Sequence, residues 1–415
     1  MREMRDSGVE WLEDIPAHWE VMPNKRIMKK KKEICPQYQG EDILSLTMNG
    51  VIVRDLNAGG KMPATFDGYQ RLTAGNLLMC LFDIDVTPRC IGLIKNTGLS
   101  SPAYSQFVVN EQGYAPYYYY YYLNLDHTKE LLHMAKNLRH SLTEDQLGEI
   151  GVAVPPYEEQ IQIVEALEKR LPKVDALIAN VQAQIEKLKT YKQSLITEVV
   201  TKGLDPTVPM KDSGFEWIGE IPSTWDTVRI KQLLRERKER SVEGKEEPLS
   251  MSQKVGLVPT KMLDSIPNMA SSFVGAKLTY VNDLVFNKLK AHLGVFSVSK
   301  YNGLVSPDYA VYYSTGVVDL KYLEYLFKTP QCISEFRKRS TGIAAGLTRL
   351  YTDGLFAIEC PLPPKEEQQR IVPYLDEKCA QIDRLIALKQ SKIEKLEQYK
   401  RSLIYEYVTG KKEVS

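Results

Sequence analysis

The chain is poor in the groups from which many sites are built. Its six cysteines, Cys35, Cys80, Cys90, Cys332, Cys360 and Cys379, include no CxxC pair, and its five histidines are scattered. That excludes a zinc centre or a disulfide framework as the organising feature, and a reducing, cytoplasmic setting is expected. No stretch approaches the roughly 18 apolar residues of a membrane span. The opening "MREMRDSGVEWLEDIPAHWE" is charged throughout, so a secretory leader is not expected either. No glycine-rich loop follows a strand-like segment to hold a dinucleotide or S-adenosylmethionine, and no GxxxxGK[ST] awaits a nucleotide phosphate. Excess charge is missing too. The 54 basic residues face 53 acidic ones, for a net charge of +1, so any affinity for nucleic acid must come from local patches.

What the chain does have is itself, twice. "DSGVEWLEDIP" at 6–16 returns as "DSGFEWIGEIP" at 212–222, "PPYEEQIQIV" at 155–164 as "PPKEEQQRIV" at 363–372, and "YKQSLITEVVT" at 191–201 as "YKRSLIYEYVT" at 399–409. Fainter echoes are "LSLT" at 44 against "LSMS" at 249, and "GLSSPAYSQF" at 98 against "GLVSPDYAVY" at 303. Collinear blocks at nearly one offset mean a tandem duplication. The ends of each half agree and the middles do not, which predicts one shared framework carrying two different payloads.

From Val174 the residues Ile178, Val181, Ile185, Leu188, Leu195 and Val199 fall at alternating steps of three and four, broken only by Lys192. No glycine or proline interrupts 173–202, so the pattern predicts a helix of about 28 residues, roughly 42 Å. The second copy keeps Ile386, Ile393, Leu396 and Leu403 on the same seam. A narrow apolar stripe needs a partner helix, and the two copies paired antiparallel about a pseudo-two-fold axis satisfy both seams. Each "PPxEEQ" predicts the start of a shorter helix, with prolines where a missing N–H does no harm and glutamates favoured by the helix dipole. Pro172 is expected to separate short from long helix in the first half, and Pro373 to kink the short helix of the second.

The middles read as mixed α/β globules. Strands are expected in "NLLMCLFDIDV", "CIGLI" and "SQFVV" of the first, and in "DLVFNKL", "GVFSVS" and "DYAVYY" of the second. Polar groups suited to base edges and phosphates are Thr47, Asn49, Arg71, Arg89, Lys95, Tyr104 and Arg139 in the first. In the second they are Ser252, Lys254, Lys288, Lys290, His292, Tyr309, Thr348 and Arg349. Asp83 of the first aligns near Lys290 of the second, two groups that could not favour the same base. The basic runs "KRIMKKKK" at 25–32 and "RIKQLLRERKER" at 229–240 suit either phosphate contact or a solvated helix face. "YYYYYY" at 117–122 reads as core plus surface rather than as a base-stacking platform. "VPPY" at 154–157 resembles the [DN]PP[YF] loop of amino-methyltransferases. Val154 stands where the Asp or Asn must accept a hydrogen bond, however, and the copy reads "LPPK", so catalysis there is not expected.

The order "DSGxEWxxxIPxxW", a variable region with "SPxY", "PPxEEQxxIVxxL", then "IEKLxxYKxSLIxExVT", all repeated, resembles the specificity subunit of Type I restriction-modification enzymes. The resemblance implies a subunit without catalysis of its own. It implies target-recognition domains at 1–153 and 206–361, each reading one half of a split double-stranded DNA target, and spacer helices at 154–205 and 362–415. Those helices would set the spacing and dock two modification subunits, with Glu158, Glu159, Gln160 and Tyr191, and Glu366, Glu367, Gln368 and Tyr399, as candidate docking residues. S-adenosylmethionine for adenine methylation, and ATP with Mg for restriction, would sit on the modification and restriction subunits and not on this chain. The alternatives are a stand-alone methyltransferase, which needs the missing cofactor loop, and an adaptor whose heads bind protein.

Overall fold

A computed structural model describes residues 2–59, 63–135, 140–253, 255–263, 272–342 and 348–414. The chain divides into two units, Met1–Gln182 with Gln390–Ser415, and Ala183–Lys389. In the first unit a four-stranded antiparallel sheet runs in the order Met28–Lys31, Ser105–Val109, Leu77–Met79, Ile91–Leu93. A second ladder pairs Glu20–Pro23 with Gly151–Val154 and so closes the first head where it meets the helix beyond. In the second unit the order is Leu234–Glu236, Tyr309–Ser314, Leu284–Asn287, Phe296–Val298, closed by Asp226–Arg229 against Glu359–Leu362. Strand for strand the two heads have one topology, so the duplication runs through the middles where the letters have diverged. Every strand expected from the sequence is present.

Each head also carries a small hairpin, Leu44–Thr47 with Gly50–Val53 in the first and Leu249–Ser252 with Gly256–Pro259 in the second. The repeated "GL" at 98 and 303 has a steric reason. A Cβ on Gly98 would lie 2.5 Å from the Asp42 carbonyl oxygen, and Gly303 stands in the same way against Glu247, so only glycine lets these backbones meet.

The hexatyrosine run lies in the helix Ala115–Thr128 despite the modest helix propensity of tyrosine. Tyr117, Tyr118, Tyr121 and Tyr122 are buried on one face, while Tyr119 and Tyr120 are half-buried. Two of the buried hydroxyls tie the helix to its surroundings: Tyr117 donates to the Val408 carbonyl at 3.0 Å, and Tyr121 accepts from the Ala153 N–H at 3.2 Å.

The break expected at Pro172 is absent. One helix of 46 residues, Tyr157–Lys202, runs through Pro172, and one of 44, Lys365–Val408, runs through Pro373. A mid-helix proline costs about 3 kcal/mol in isolation. Here buried neighbours on both sides hold the helix, Leu171 and Val174 in one and Val372 and Leu375 in the other, and tertiary packing outweighs the local penalty. In each unit the two helices run antiparallel. The first has Lys400 bound to Asp175 at 2.5 Å and Arg170 over the Tyr407 ring at 5.5 Å. The second has Lys192, the residue that interrupts the seam, bound to Asp383 at 2.6 Å. Ile178, Val181, Ile185, Val199, Ile393 and Leu403 are buried, and Leu188, Leu195, Ile386 and Leu396 half-buried.

The basic runs form no extended helix face. Lys29, Lys30 and Lys31 lie on the sheet's edge strand, with Lys31 donating to Thr73 Oγ1 at 2.9 Å and Lys30 bound to Glu144. The run at 229–240 forms a four-residue helix, Ile230–Leu233, and then another edge strand. Charge at a sheet edge discourages pairing with foreign strands.

Candidate nucleic-acid interface

The "PPxEEQ" and "IPxxW" motifs meet. Trp19 is buried and its indole N–H donates to Glu159 Oε2 at 3.0 Å, where His18 Nε2 also lies at 2.8 Å and Arg2 binds the other oxygen. Burial raises the Glu159 carboxyl, but the hydrogen bonds from His18, Arg2 and Trp19 outweigh it and hold the group below its ordinary range. In the second unit Trp225 donates to Glu367 Oε2 at 2.7 Å. The next residue is a brace. Buried Gln160 accepts from the Tyr114 N–H at 2.7 Å and donates to the Gln112 and Pro155 carbonyls at 3.0 and 2.9 Å. Gln368 accepts from the Asp319 N–H at 2.7 Å and donates to Val317 and Pro363 at 3.3 and 2.9 Å. These four side chains therefore fasten each helix to its head. Glu158, Glu366, Tyr191 and Tyr399 remain exposed, as do Leu177 and Leu385, one repeat apart.

In the first head Thr47 and Asn49 sit at the hairpin turn, where Thr47 Oγ1 donates to the Gly50 carbonyl at 3.0 Å and accepts from the Asn49 N–H at 3.1 Å. Beneath the turn a cavity of about 240 Å³ is lined by Thr47, Met48, Phe82, Arg89 and Tyr104. Phe82 and Tyr104 stack with ring centres 6.1 Å apart, and burial raises the Tyr104 phenol. An adjoining groove of about 780 Å³ gathers Asn49, Arg89 and Lys95 with Lys129, Lys400 and Arg401. Asp126, Glu168, Asp175 and Glu397 also line it, so its field is mixed. The fold thus brings Thr47, Asn49, Arg89, Lys95 and Tyr104 together. It sets Arg71 apart, bound to Glu41 at 3.1 Å and to Glu33 at 3.5 Å. Arg139 lies outside the described residues.

In the second head Ser252 ends the hairpin strand, and Gln253 ties the turn to the Leu293 carbonyl at 3.0 Å. Lys290 opens the short turn Ala291–Leu293, exposed, and His292 within it has a buried Nδ1 with no hydrogen-bond partner among the described residues. The Leu350 N–H donates to the Lys288 carbonyl at 3.0 Å and Arg349 pairs across to Thr341, which sets Lys288, Thr348 and Arg349 side by side. Tyr309 is half-buried above Asn287. Lys254 lies outside the described residues. Asp83 and Lys290 fall in the loops that follow the equivalent strands Leu77–Met79 and Leu284–Asn287.

Sequence reasoning missed Phe82, Lys129, Lys400 and Arg401. The last two sit in the repeated "YK(Q/R)SL" block, whose periodicity marks only a helix.

His127, at the rim of the first-head groove, is pushed down to about 4 by burial and then by Arg401, with Arg89 and Lys400 adding and Asp126 opposing. Its unfolded value is near 6.5, so the folded state binds fewer protons between those values and stability falls as pH falls through that window. The ring is partly exposed, which discounts the effect to roughly 1–2 kcal/mol between pH 6.5 and 4.5. His127→Gln should flatten the profile by that amount in urea titrations at the two pH values. Parallel profiles would contradict it.

No family model matches the chain. It is 28% identical over 307 residues to a Methanocaldococcus jannaschii protein named as the specificity subunit of the type I restriction enzyme MjaX, covering 71% of this chain and 68% of the relative. The MjaVIII specificity subunit of the same organism is 25% identical over 280 residues, covering 63% and 62%. The chain thus spans just under two thirds of that second relative. Among solved structures, a chain from work on complex assembly and conformational transition of the type I R-M system superposes with a TM-score of 0.70 at 14% identity, covering 95% of this chain and 98% of that one. The HsdS subunit from Thermoanaerobacter tengcongensis superposes at 0.53 with 16% identity and the same coverage. At such identities the structural likeness establishes the fold.

Proposed function

We propose that this chain, a specificity subunit of the type I restriction-modification family, recognises a split DNA target, each head reading one half. The observation that carries the reading is two heads of one topology that offer different side chains at equivalent places. Thr47, Asn49, Arg89, Lys95 and Tyr104 face one half-site, and Ser252, Lys288, Lys290, His292, Tyr309 and Arg349 the other. A carboxylate at Asp83 and an ammonium at Lys290 favour different base edges, which supports an asymmetric target. The subunit is not itself catalytic. Val154 is held in a strand against Glu20 where a target-amine acceptor would be needed, and Tyr157 already belongs to the helix. Adenine methylation, with the base flipped from the duplex, belongs to modification subunits that hold S-adenosylmethionine, and ATP-driven cleavage to restriction subunits. The exposed Glu158, Tyr191, Glu366 and Tyr399 are the docking candidates, and the paired helices set the spacing. No helix among the described residues is long and apolar enough to cross a membrane, and a cytoplasmic location fits this role.

The test replaces residues 20–150 by the corresponding head of a relative, with methylated adenines then mapped across a genome carrying the assembled system. One half of the motif should change and the other stay. A change in both halves, or in neither, would refute independent heads.

A further inference from the structure

The "SPxY" turn is built identically in both heads. In the first, the Tyr104 N–H donates to the Ser101 carbonyl at 3.2 Å and the Ala103 N–H to Ser101 Oγ at 3.3 Å. In the second, the Tyr309 N–H donates to the Ser306 carbonyl at 3.0 Å and the Asp308 N–H to Ser306 Oγ at 3.3 Å. Each turn opens on its head's candidate site: Tyr104 lines the cavity under the hairpin, and Asp308 lies 3.7 Å from Arg349.

Beneath each turn stands one buried polar side chain. Gln70 is 1% exposed, and its Nε2 donates to the Tyr104 carbonyl at 2.7 Å and the Ser101 carbonyl at 2.8 Å. Lys277 is 8% exposed, and its Nζ donates to the Tyr309 carbonyl at 2.6 Å. The two positions are the same place in the fold. Gln70 pairs with Ser100 and bridges to Ile34, and Lys277 pairs with Val305 and bridges to Arg240. Glutamine and lysine share little except reach and an N–H donor. Their convergence on the tyrosine carbonyl is what the position demands, since a buried carbonyl left unpaired destabilises its loop. A buried ammonium is a costly way to supply that donor. Glu236, 3.8 Å away, offsets part of the cost, while Lys288 and Arg240 add to it.

We infer that Gln70 and Lys277 are positioning residues that hold the Ser-Pro-x-Tyr turns in the conformation that reads DNA, each governing the half-site of its own head. This rests on the reading of the heads as DNA-recognition domains. The residue at x, Ala103 in one and Asp308 in the other, is then a specificity determinant carried on a common turn.

The experiment uses the full chain assembled with its modification subunits, and methylated adenines in genomic DNA report the motif. Lys277→Met should relax the motif in one half only, lowering discrimination there by about tenfold, the scale of one well-made base contact. Gln70→Met should do the same in the other half. Lys277→Gln, which installs the first head's own donor, should preserve the motif. Loss of stability alone would lower methylation at every site without changing the motif, so the half-site pattern separates positioning from folding. Relaxation of both halves, or an unchanged motif in both methionine variants, overturns the inference. If Lys277→Met does not fold, Lys277→Gln decides: loss of the motif there overturns it as well. A wild-type complex that methylates no split motif would instead remove the function proposed above.

Discussion

Truncation after Gln398 should unfold the first head, although that head loses none of its own residues. Its core is closed by the last turns of the second long helix, where Leu403, Ile404, Tyr407 and Val408 are each at most 1% exposed and pack with Trp19, Tyr117 and Leu167. Each such side chain is worth about 1.5–3 kcal/mol when fully buried. Removing four, and leaving the Tyr117 hydroxyl without the Val408 carbonyl, should cost more than about 4 kcal/mol net of the ordering entropy regained. That is a large part of a domain's stability. Hydrogen exchange is the measurement: the amides of Leu77–Met79 and Tyr117–Tyr122 should lose protection while those of Leu284–Asn287 in the second unit keep theirs. Unchanged protection in the first head would show that it is self-sufficient.

The second large effect is at the repeated tryptophan. Trp225 is fully buried, edge-on to Tyr322 at 6.4 Å and against Gly203, whose φ of +77° ends the first long helix. Trp225→Ala should cost about 3–5 kcal/mol by cavity formation. It also strips Glu367 of its indole donor. Trp225→Phe keeps most of the volume and loses the N–H, and should cost about 1–2 kcal/mol. Urea unfolding of the second unit reads both. A loss below 1 kcal/mol in the alanine variant would mean that the clamp does not hold the helix start.

Much of this was legible because it is periodic. The seam through Ile178, Val181 and Ile185 predicts a long paired helix, and the repeated blocks predict repeated units. Both are properties of spacing, which survives when letters change. Pro172 misled because the local rule by which proline ends a helix gave way to packing at Leu171 and Val174. The role of "PPxEEQ" was half readable. Its helix start followed from the prolines and glutamates, but the partners of Glu159 and Gln160 lie 140 and 46 residues away, at Trp19 and Tyr114. The equivalence of Gln70 and Lys277 was invisible, since residues so unlike align only when the strands that carry them are seen to pair alike. The pairing of Arg71 with Glu33 and Glu41 was equally invisible, since those carboxylates lie 38 and 30 residues away in the chain.

The closing of the first head by the second long helix has a consequence for the order of events on the ribosome. The strands and helix of that head are finished once Val154 has been made, yet the residues that seal its core begin near Tyr399. At a synthesis rate of about 5–20 residues per second, the nascent head waits some tens of seconds with apolar surface uncovered. The second head has no such delay, because Ile196, Val199 and Val200 of the first long helix precede it. The part of the chain synthesised first is completed last, and it is the part for which chaperone protection during translation matters most.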